Sequence, residues 1–250
     1  MESQPEKLSV PDLINVLSND LQKSTPQNQK TKRVGSLKLI LSMMYGGKTS
    51  YLIHIIETLG RACKILYINH SSDKRSEDAY STHSMSLSKS LSTKLNTTMI
   101  KIDELSKVKR ELLLEHPVVC IDESQFFPDL DQEVRYMVNV LGLEVYVGSL
   151  NGDSNRKKFG QTLDLIPDCD DVIMLRDTIC SRCALLGERN IALFTWRIND
   201  SSEQIEIGAS NYIPVCRGCH NYLHHERHQQ KKVIPDPKRF VVVPFSHEFD

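Results

Sequence analysis

Lys48 and Thr49 follow two glycines in the stretch LSMMYGGKTS, positions 41–50, and this order of residue types suits a loop that holds phosphate. In a strand–loop–helix phosphate site, consecutive backbone N–H groups of a tight turn and the N-terminus of the next helix converge on anionic oxygens. Lys48 would add a point charge and the Thr49 hydroxyl would hold magnesium. The pattern G-x-x-x-x-G-K-[ST] is met at Gly47, Lys48 and Thr49 and fails at its first position, Ser42. A second feature supports the same chemistry. HPVVCIDESQFF is an apolar run ending in Asp122 and Glu123, the form expected of an acid that reaches the magnesium shell. Phosphoryl transfer needs charge compensation on the phosphate and a group that orients or deprotonates the attacking oxygen. Asp122 toward magnesium and Glu123 toward an acceptor hydroxyl would divide those tasks. Glu123 activating water instead would make an ATPase, and these residues alone leave both readings open.

A different chemistry sits further along. CSRC at 180–183 and CRGC at 216–219 are paired Cys-x-x-Cys knuckles, more widely separated than in the usual zinc ribbon. Cys180, Cys183, Cys216 and Cys219 offer thiolates with no open coordination position, which points to structural zinc. The remaining cysteines, Cys63, Cys120 and Cys169, lie in apolar surroundings and read as small core residues. His220, His224, His225 and His228 read as part of a solvated helix rather than a second metal site, and Trp196 as a packing residue of a small lobe.

The elements that must position these groups alternate in type. LKLILS is a strand running into the Gly-Lys-Thr turn. The helix after it places Leu52, Ile55, Ile56 and Leu59 on one face and stops at Gly60. KILYIN, PVVCI, LEVYVGSL and VIML near position 172 are further strands, with a charged amphipathic stretch DELSKVKRELLLEH and a helix near 130–140 between them. Such alternation implies an α/β fold with a parallel sheet. Past about Leu175 the texture changes to short elements and polar loops, a second and smaller lobe. The expected organisation is a flexible N-terminal extension over 1–34 with a possible short helix around Val10 to Leu21, a P-loop nucleotide-binding domain over 35–176, a zinc-binding lobe over 177–222 and a C-terminal extension over 223–250.

Composition sets outer bounds. The chain has 250 residues, 40% hydrophobic and 25% charged, with a formal net charge of -1, which argues against a general polyanion binder. MESQPEKLSVPDL is no signal sequence, no stretch approaches the ~18 apolar residues of a membrane span, and the expectation is a cytoplasmic protein. The basic cluster RHQQKKVIPDPKR lies in the tail, so a P-loop ATPase acting with nucleic acid is the weaker alternative.

Taken in order, these pieces resemble the thymidine kinases of the type II class over roughly residues 35 to 220. SMMYGGKT matches that family's phosphate loop, SSDKRSEDAYSTH its D-x-R segment, IDESQFF its catalytic signature and SLNGDSNRKKFG the segment after the next strand. ALFTWR matches A-x-[FY]-T-x-R, and IGASNYIPVCRGC the closing loop and second knuckle. The resemblance implies a RecA-like P-loop domain, a zinc-held lobe, and a lasso between the knuckles that closes over the nucleoside. It implies ATP with Mg2+ as donor and thymidine as acceptor, giving thymidine monophosphate for DNA precursor synthesis. It also implies a homotetramer inhibited by the end-product triphosphate, with no membrane or nucleic-acid partner. Carried onto matching positions, Glu123 is the general base for the 5′-hydroxyl. Ser42, Met43, Met44, Tyr45, Gly46, Gly47, Lys48 and Thr49 serve the ATP phosphates and magnesium, together with Asp73, Arg75, Asp122 and Gln125. Met44, Phe126, Leu150, Ser154, Phe159, Thr195 and Tyr212 would surround the thymidine.

The chain departs from the family pattern at identifiable places. Ser42 replaces the first glycine of the loop and Met43 its usual proline, a change that matters only if φ > 0 is required at position 42. Ser76 follows the D-x-R segment where tyrosine is common, Ser154 stands where an aromatic usually flanks the base, and Asn151 and Asp153 alter the usual DGT. IGASNY is one residue short, and ALLGERN adds residues after the first knuckle. Catalytic groups are kept while nucleobase groups drift, so a relaxed base preference is expected.

Overall fold

The computed structural model describes residues 34–73, 96–199 and 211–229. The expected helix over 10–21, Arg75, Ser76 and the part of the lasso over 200–210 lie outside the described residues.

Strands β1 (Ser36–Ser42), β2 (Ile65–His70), β3 (Thr97–Ile102), β4 (Val118–Ile121), β5 (Glu144–Leu150) and β6 (Asp171–Met174) form a 6-stranded sheet in the order β3-β2-β4-β5-β1-β6. Its pairings are all parallel. The sequence dictates this through its runs of consecutive apolar residues, because a strand covered on both faces has no polar side to present. Leu37, Leu39 and Leu41 of β1 turn to one face while Ile40 turns to the other, and Leu66 and Ile68 of β2 oppose Ile65 and Tyr67 in the same way. One face packs under α1 (Lys48–Leu59) through Leu52, Ile53 and Ile56. The other packs under α3 (Leu130–Arg135), which runs on as a π-helical turn over Tyr136–Val140, through Leu130, Val134 and Met137. An α/β fold with a parallel sheet is therefore what the chain adopts.

Some elements differ from expectation. β3 was not evident in the sequence; its residues are all half-buried, and a sheet edge tolerates the mixed run TTMIKI. The charged amphipathic stretch DELSKVKRELLLEH forms two short elements. Val108 and Lys109 are extended, which splits it into a 3-10 turn at Leu105–Lys107 and the short α2 (Arg110–Glu115). β6, the VIML segment, is a largely exposed edge strand. Gly60 ends α1 in a right-handed conformation, its N–H donating to Ile56 O. Of the three isolated cysteines only Cys120 is fully buried; Cys63 and Cys169 are half-buried at the margins of the core.

A separate, smaller cluster is built on α4 (Ser181–Leu185), the antiparallel pair β7 (Phe194–Arg197) and β8 (Tyr212–Val215), and α5 (Arg217–Gln229). Trp196, Ile198, Ile213, Val215 and Leu223 form its core with the cysteines. α5 runs through position 223, where the C-terminal extension was expected to begin.

Candidate active site

The phosphate loop leaves the C-terminal end of β1 and enters α1. Ser42 is fully buried, and its Oγ donates to Met43 O at 2.9 Å. The left-handed positions of the loop fall on Tyr45 (φ 64) and Gly47 (φ 83), not on Ser42. Gly47 is the N-cap of α1, and its φ is one that only glycine adopts without cost. Gly46 has another reason to be glycine: a Cβ there would stand 2.5 Å from Ser42 Oγ and 2.6 Å from Ser42 Cβ. The side chain that serine adds at position 42 occupies the space that glycine leaves at position 46. Lys48 follows at the helix start, 7% exposed.

β4 delivers the acids. Asp122 is fully buried; its Oδ2 accepts from Thr49 Oγ1 at 2.6 Å and from the Tyr67 hydroxyl at 2.9 Å, and its Oδ1 from the Glu123 N–H at 2.9 Å. Burial, then the neighbouring charge of Glu123, pushes the Asp122 carboxyl up, against the Thr49 hydroxyl, the Lys48 charge and the Glu123 N–H. Burial likewise raises the Tyr67 phenol well above its ordinary value, with the charge of Asp122 next in effect, so Tyr67 stays a hydrogen-bond donor. Glu123 itself holds φ 51, left-handed for a non-glycine residue, at the head of a 3-10 turn over Ser124–Phe126. Gln125 Nε2 donates to Glu123 Oε2 at 2.6 Å.

Asp73 follows β2 and is 5% exposed. Asn69 Nδ2 donates to its Oδ2 at 3.2 Å, and Lys101 Nζ donates to its backbone carbonyl. His70 Nδ1 accepts from Ser72 N at 3.1 Å, which puts the ring proton on Nε2, facing Asp103 O at 3.2 Å. Burial lowers the His70 pKa against the Asp103 carbonyl and the carboxylates of Asp103, Glu123 and Asp73.

The residues expected around the nucleoside fall into two connected sets. Phe126 and Phe159 meet edge to face with centroids 5.6 Å apart, and the backbone N–H of Leu150 donates to Gln125 Oε1 at 3.2 Å. Thr195 Oγ1 accepts from Met44 N at 3.0 Å, tying β7 to the phosphate loop. Arg197 donates to Ser154 Oγ at 3.3 Å and lies 5.7 Å from the Tyr212 ring centroid. Ser154 thus serves as a polar partner for a buried arginine. Thr178 Oγ1 adds a second tie to the loop, donating to Tyr45 O at 2.9 Å.

The knuckles converge as their spacing requires. The Sγ atoms of Cys180, Cys183, Cys216 and Cys219 all lie within 4.8 Å of one another, with Cys183 3.8 Å from Cys216 and 3.6 Å from Cys219. A tetrahedron with Zn–S bonds of about 2.3 Å has an edge of roughly 3.8 Å, so the donor set fits zinc. Asn190 Nδ2 points a donor at Cys183 Sγ (3.3 Å) and Cys219 N one at Cys216 Sγ (3.4 Å), as thiolate ligands accept. His220 instead faces Ser154 O at 3.1 Å and meets Trp196 edge-on at 5.1 Å. Trp196 is 6% exposed, a packing residue.

Several contributors escaped the sequence reading. Tyr67 is a phenol inside a fully buried strand, and that is itself a signal, since a buried hydroxyl needs a partner. Thr162 and Asn69 carry no motif, Ser149 opens the quoted SLNGDSNRKKFG without an assigned role, and only the fold shows what they touch. Arg197 stood within the quoted ALFTWR without an assigned role.

Comparison with known proteins adds to this geometry. A family model described as thymidine kinase matches residues 35–220. Thymidine kinase 1 of Dictyostelium discoideum is 33% identical over 207 residues, covering 80% of this chain and 84% of the relative. The cytosolic thymidine kinase of Homo sapiens is 32% identical over 193 residues, covering 76% and 75%. The thymidine kinase of Myxoma virus is 31% identical over 190 residues, covering 74% of this chain and 96% of the relative.

Proposed function

The chain belongs to the thymidine kinase family, and on that premise we propose that it transfers the γ-phosphoryl group of ATP to the 5′-hydroxyl of thymidine. The observation that carries the reading is the meeting of Thr49, from the phosphate loop, with Asp122, from the end of β4, at 2.6 Å beside Glu123. A phosphate loop and an acidic strand end brought to one point are what phosphoryl transfer requires.

The roles follow from the chemistry of each group. Glu123 accepts the proton of the 5′-hydroxyl as that oxygen bonds to the γ-phosphorus, and the bond to the bridging oxygen of ADP breaks. Lys48 and the N-terminal N–H groups of α1 hold the phosphate oxygens. Thr49 and Asp122 would hold Mg2+, which supplies charge compensation on the phosphates when bound with ATP. Asp73 and Arg75 belong near the transferred phosphate. Met44, Phe126, Leu150, Ser154, Phe159, Thr195 and Tyr212 bound the nucleoside, and the loss of an aromatic at Ser154 relaxes base preference. The four cysteines would hold structural zinc and keep the β7–β8 hairpin in place.

The same reading includes a homotetramer in the cytoplasm. Cytosolic thymidine kinases are among the relatives, and among the described residues no helix is long and apolar enough to cross a membrane.

The test is product formation from ATP and Mg2+ with thymidine, deoxyuridine, deoxycytidine or no nucleoside. Thymidine-dependent monophosphate is the expected result. ATP hydrolysis that needs no nucleoside would point to the ATPase reading, and absence of all turnover to a decayed kinase.

A further inference from the structure

Glu123 is held by a longer apparatus than its own strand end. Its Oε2 accepts from Gln125 Nε2 at 2.6 Å, and the other end of that amide, Oε1, accepts from Ser149 Oγ and from the backbone N–H of Leu150, each at 3.2 Å. A backbone N–H can only donate, so Leu150 fixes which end of the amide faces β5 and which faces the carboxylate. Behind Ser149 the bonding continues. Thr162 Oγ1 donates to Ser149 Oγ at 2.9 Å, and Ser124 Oγ lies 2.9 Å from Thr162 Oγ1. With Thr162 and Ser149 each passing its proton forward, Ser124 donates to Thr162, and the series runs Ser124, Thr162, Ser149, Gln125, Glu123. Ser124, Ser149 and Thr162 are 0% exposed, Gln125 3% and Glu123 5%. In such surroundings each bond polarises the next, and a missing member leaves a buried polar group unsatisfied. The backbone of Gln125 is held as well: Gly160 lies against its carbonyl with no room for a Cβ.

We infer that Gln125 is a positioning residue for Glu123, fixing the carboxylate through its amide N–H while Ser149, Thr162 and Ser124 brace the amide from behind. The inference rests on Glu123 as the general base, and it assigns Gln125 a task other than the nucleotide contact expected from sequence. A glutamate has three rotatable side-chain torsions, and a base must meet its hydroxyl within hydrogen-bond reach. The left-handed backbone at Glu123 sets where the side chain starts, and the Gln125 amide sets where it ends. Both constraints come from one 3-10 turn, so IDESQFF encodes the base and its brace together.

The test uses the full-length protein with ATP, Mg2+ and thymidine, following labelled product so that residual rates are readable. Gln125→Met, similar in length but without an amide, should lower kcat roughly 10- to 100-fold, the size of loss that misplacement of a reacting group gives, with both KM values within about 2-fold of the parent. In a Glu123→Gln background the same substitution should cost less than about 2-fold, because its effect runs through the carboxylate. An equal loss in both backgrounds, a raised KM for ATP with kcat kept, or no loss at all would overturn the inference. Ser149→Ala keeps the amide and removes one brace; it should lower kcat by less than Gln125→Met does, with KM unchanged. That variant carries the test if Gln125→Met does not fold, and parental kcat in it would then count against the inference. Parental turnover in Glu123→Gln would instead remove the general-base reading, whereas an inactive Glu123→Gln beside a fully active Gln125→Met would remove only this one.

Discussion

The Cβ that Gly46 lacks would stand 2.6 Å from the Cβ of Ser42, so the two positions of the phosphate loop share one volume. A serine at position 42 is compatible with the turn because its backbone is not left-handed and because position 46 has no side chain. The departure from the glycine pattern is therefore absorbed within the loop. Gly46→Ala should raise the KM for ATP about 10- to 100-fold, the equivalent of an overpacking cost of roughly 1–3 kcal/mol. Ser42→Gly should be nearly neutral by itself. The double variant should recover much of the loss, although Met43 O, at 3.0 Å from the same Cβ position, limits the recovery. Additive effects in ATP titrations would show that the two residues do not compete for space.

Tyr67 offers a test of how Asp122, the acid proposed for magnesium, is held. Its hydroxyl donates to Asp122 Oδ2 at 2.9 Å, on the same oxygen that accepts from Thr49. Tyr67→Phe removes a donor to a buried carboxylate, a bond worth about 1.5–3 kcal/mol. The expected outcome is a kcat/KM about 10-fold lower and a higher Mg2+ concentration for half-maximal rate. Parental Mg2+ dependence in the Phe variant would reduce Tyr67 to a core residue.

Legibility in the sequence followed locality. The strands β1, β2, β4 and β5 could be read because burial on both faces forces near-continuous apolar runs such as PVVCI and LKLIL, the latter interrupted by half-buried Lys38. β3 could not, because half-buried Thr97, Thr98 and Lys101 are acceptable at an edge and have no pattern of their own. The phosphate loop, Asp122 and Glu123 and the cysteine pairs were visible because their chemistry depends on residues a few positions apart. Tyr67, Ser149 and Thr162 act on groups far away in the chain, so only the packed sheet brings them to their partners. Val108 and Lys109 mark a further limit. Nothing in the charged amphipathic stretch DELSKVKRELLLEH marks a break there, yet both are extended, and the 3-10 turn before them is fixed by Asp129, which accepts from Leu105 N and Ser106 N.

The four-cysteine cluster carries its own reporter. Trp196 is the chain's one tryptophan, 6% exposed, with His220 edge-on at 5.1 Å and Arg227 4.2 Å from its ring centroid. A strong chelator should remove about one zinc per chain and red-shift the tryptophan emission as the small core loosens. Asn190→Leu deletes the donor to Cys183 Sγ and should speed zinc loss about 10-fold, in line with the effect of outer-shell partners on metal sites. Zinc content measured by atomic absorption, and release followed with a colorimetric chelator, check both. Stable zinc in Asn190→Leu would leave that bond without a role in retention.

His70 should make stability depend on pH in a defined direction. Its neutral ring accepts from Ser72 N and faces Asp103 O, and it packs edge-on against Phe127 with centroids 4.8 Å apart. Protonation would set a second ring N–H against the N–H of Ser72 and is opposed by burial, so the folded-state pKa lies below the ordinary value of 6.5. Between the two values the unfolded chain binds more protons than the folded one, and the stability of the folded state is lost as pH falls through that window. It is fully present above about pH 6.5. Asp122, whose pKa burial raises, contributes the opposite slope, so the His70 share has to be isolated by substitution. His70→Asn keeps an acceptor for the N–H two residues on, as Asx turns do, and cannot titrate. It should melt at a lower temperature than the parent at pH 8, because the Asp103 bond and the packing on Phe127 are gone. Its melting temperature should then fall less than that of the parent as pH drops below about 6.5, where the unfolded chain binds the proton that folded His70 resists. Scanning calorimetry of both proteins over that range decides it: parallel pH profiles would mean that His70 does not titrate in the window, and the pH dependence would belong to the carboxylates.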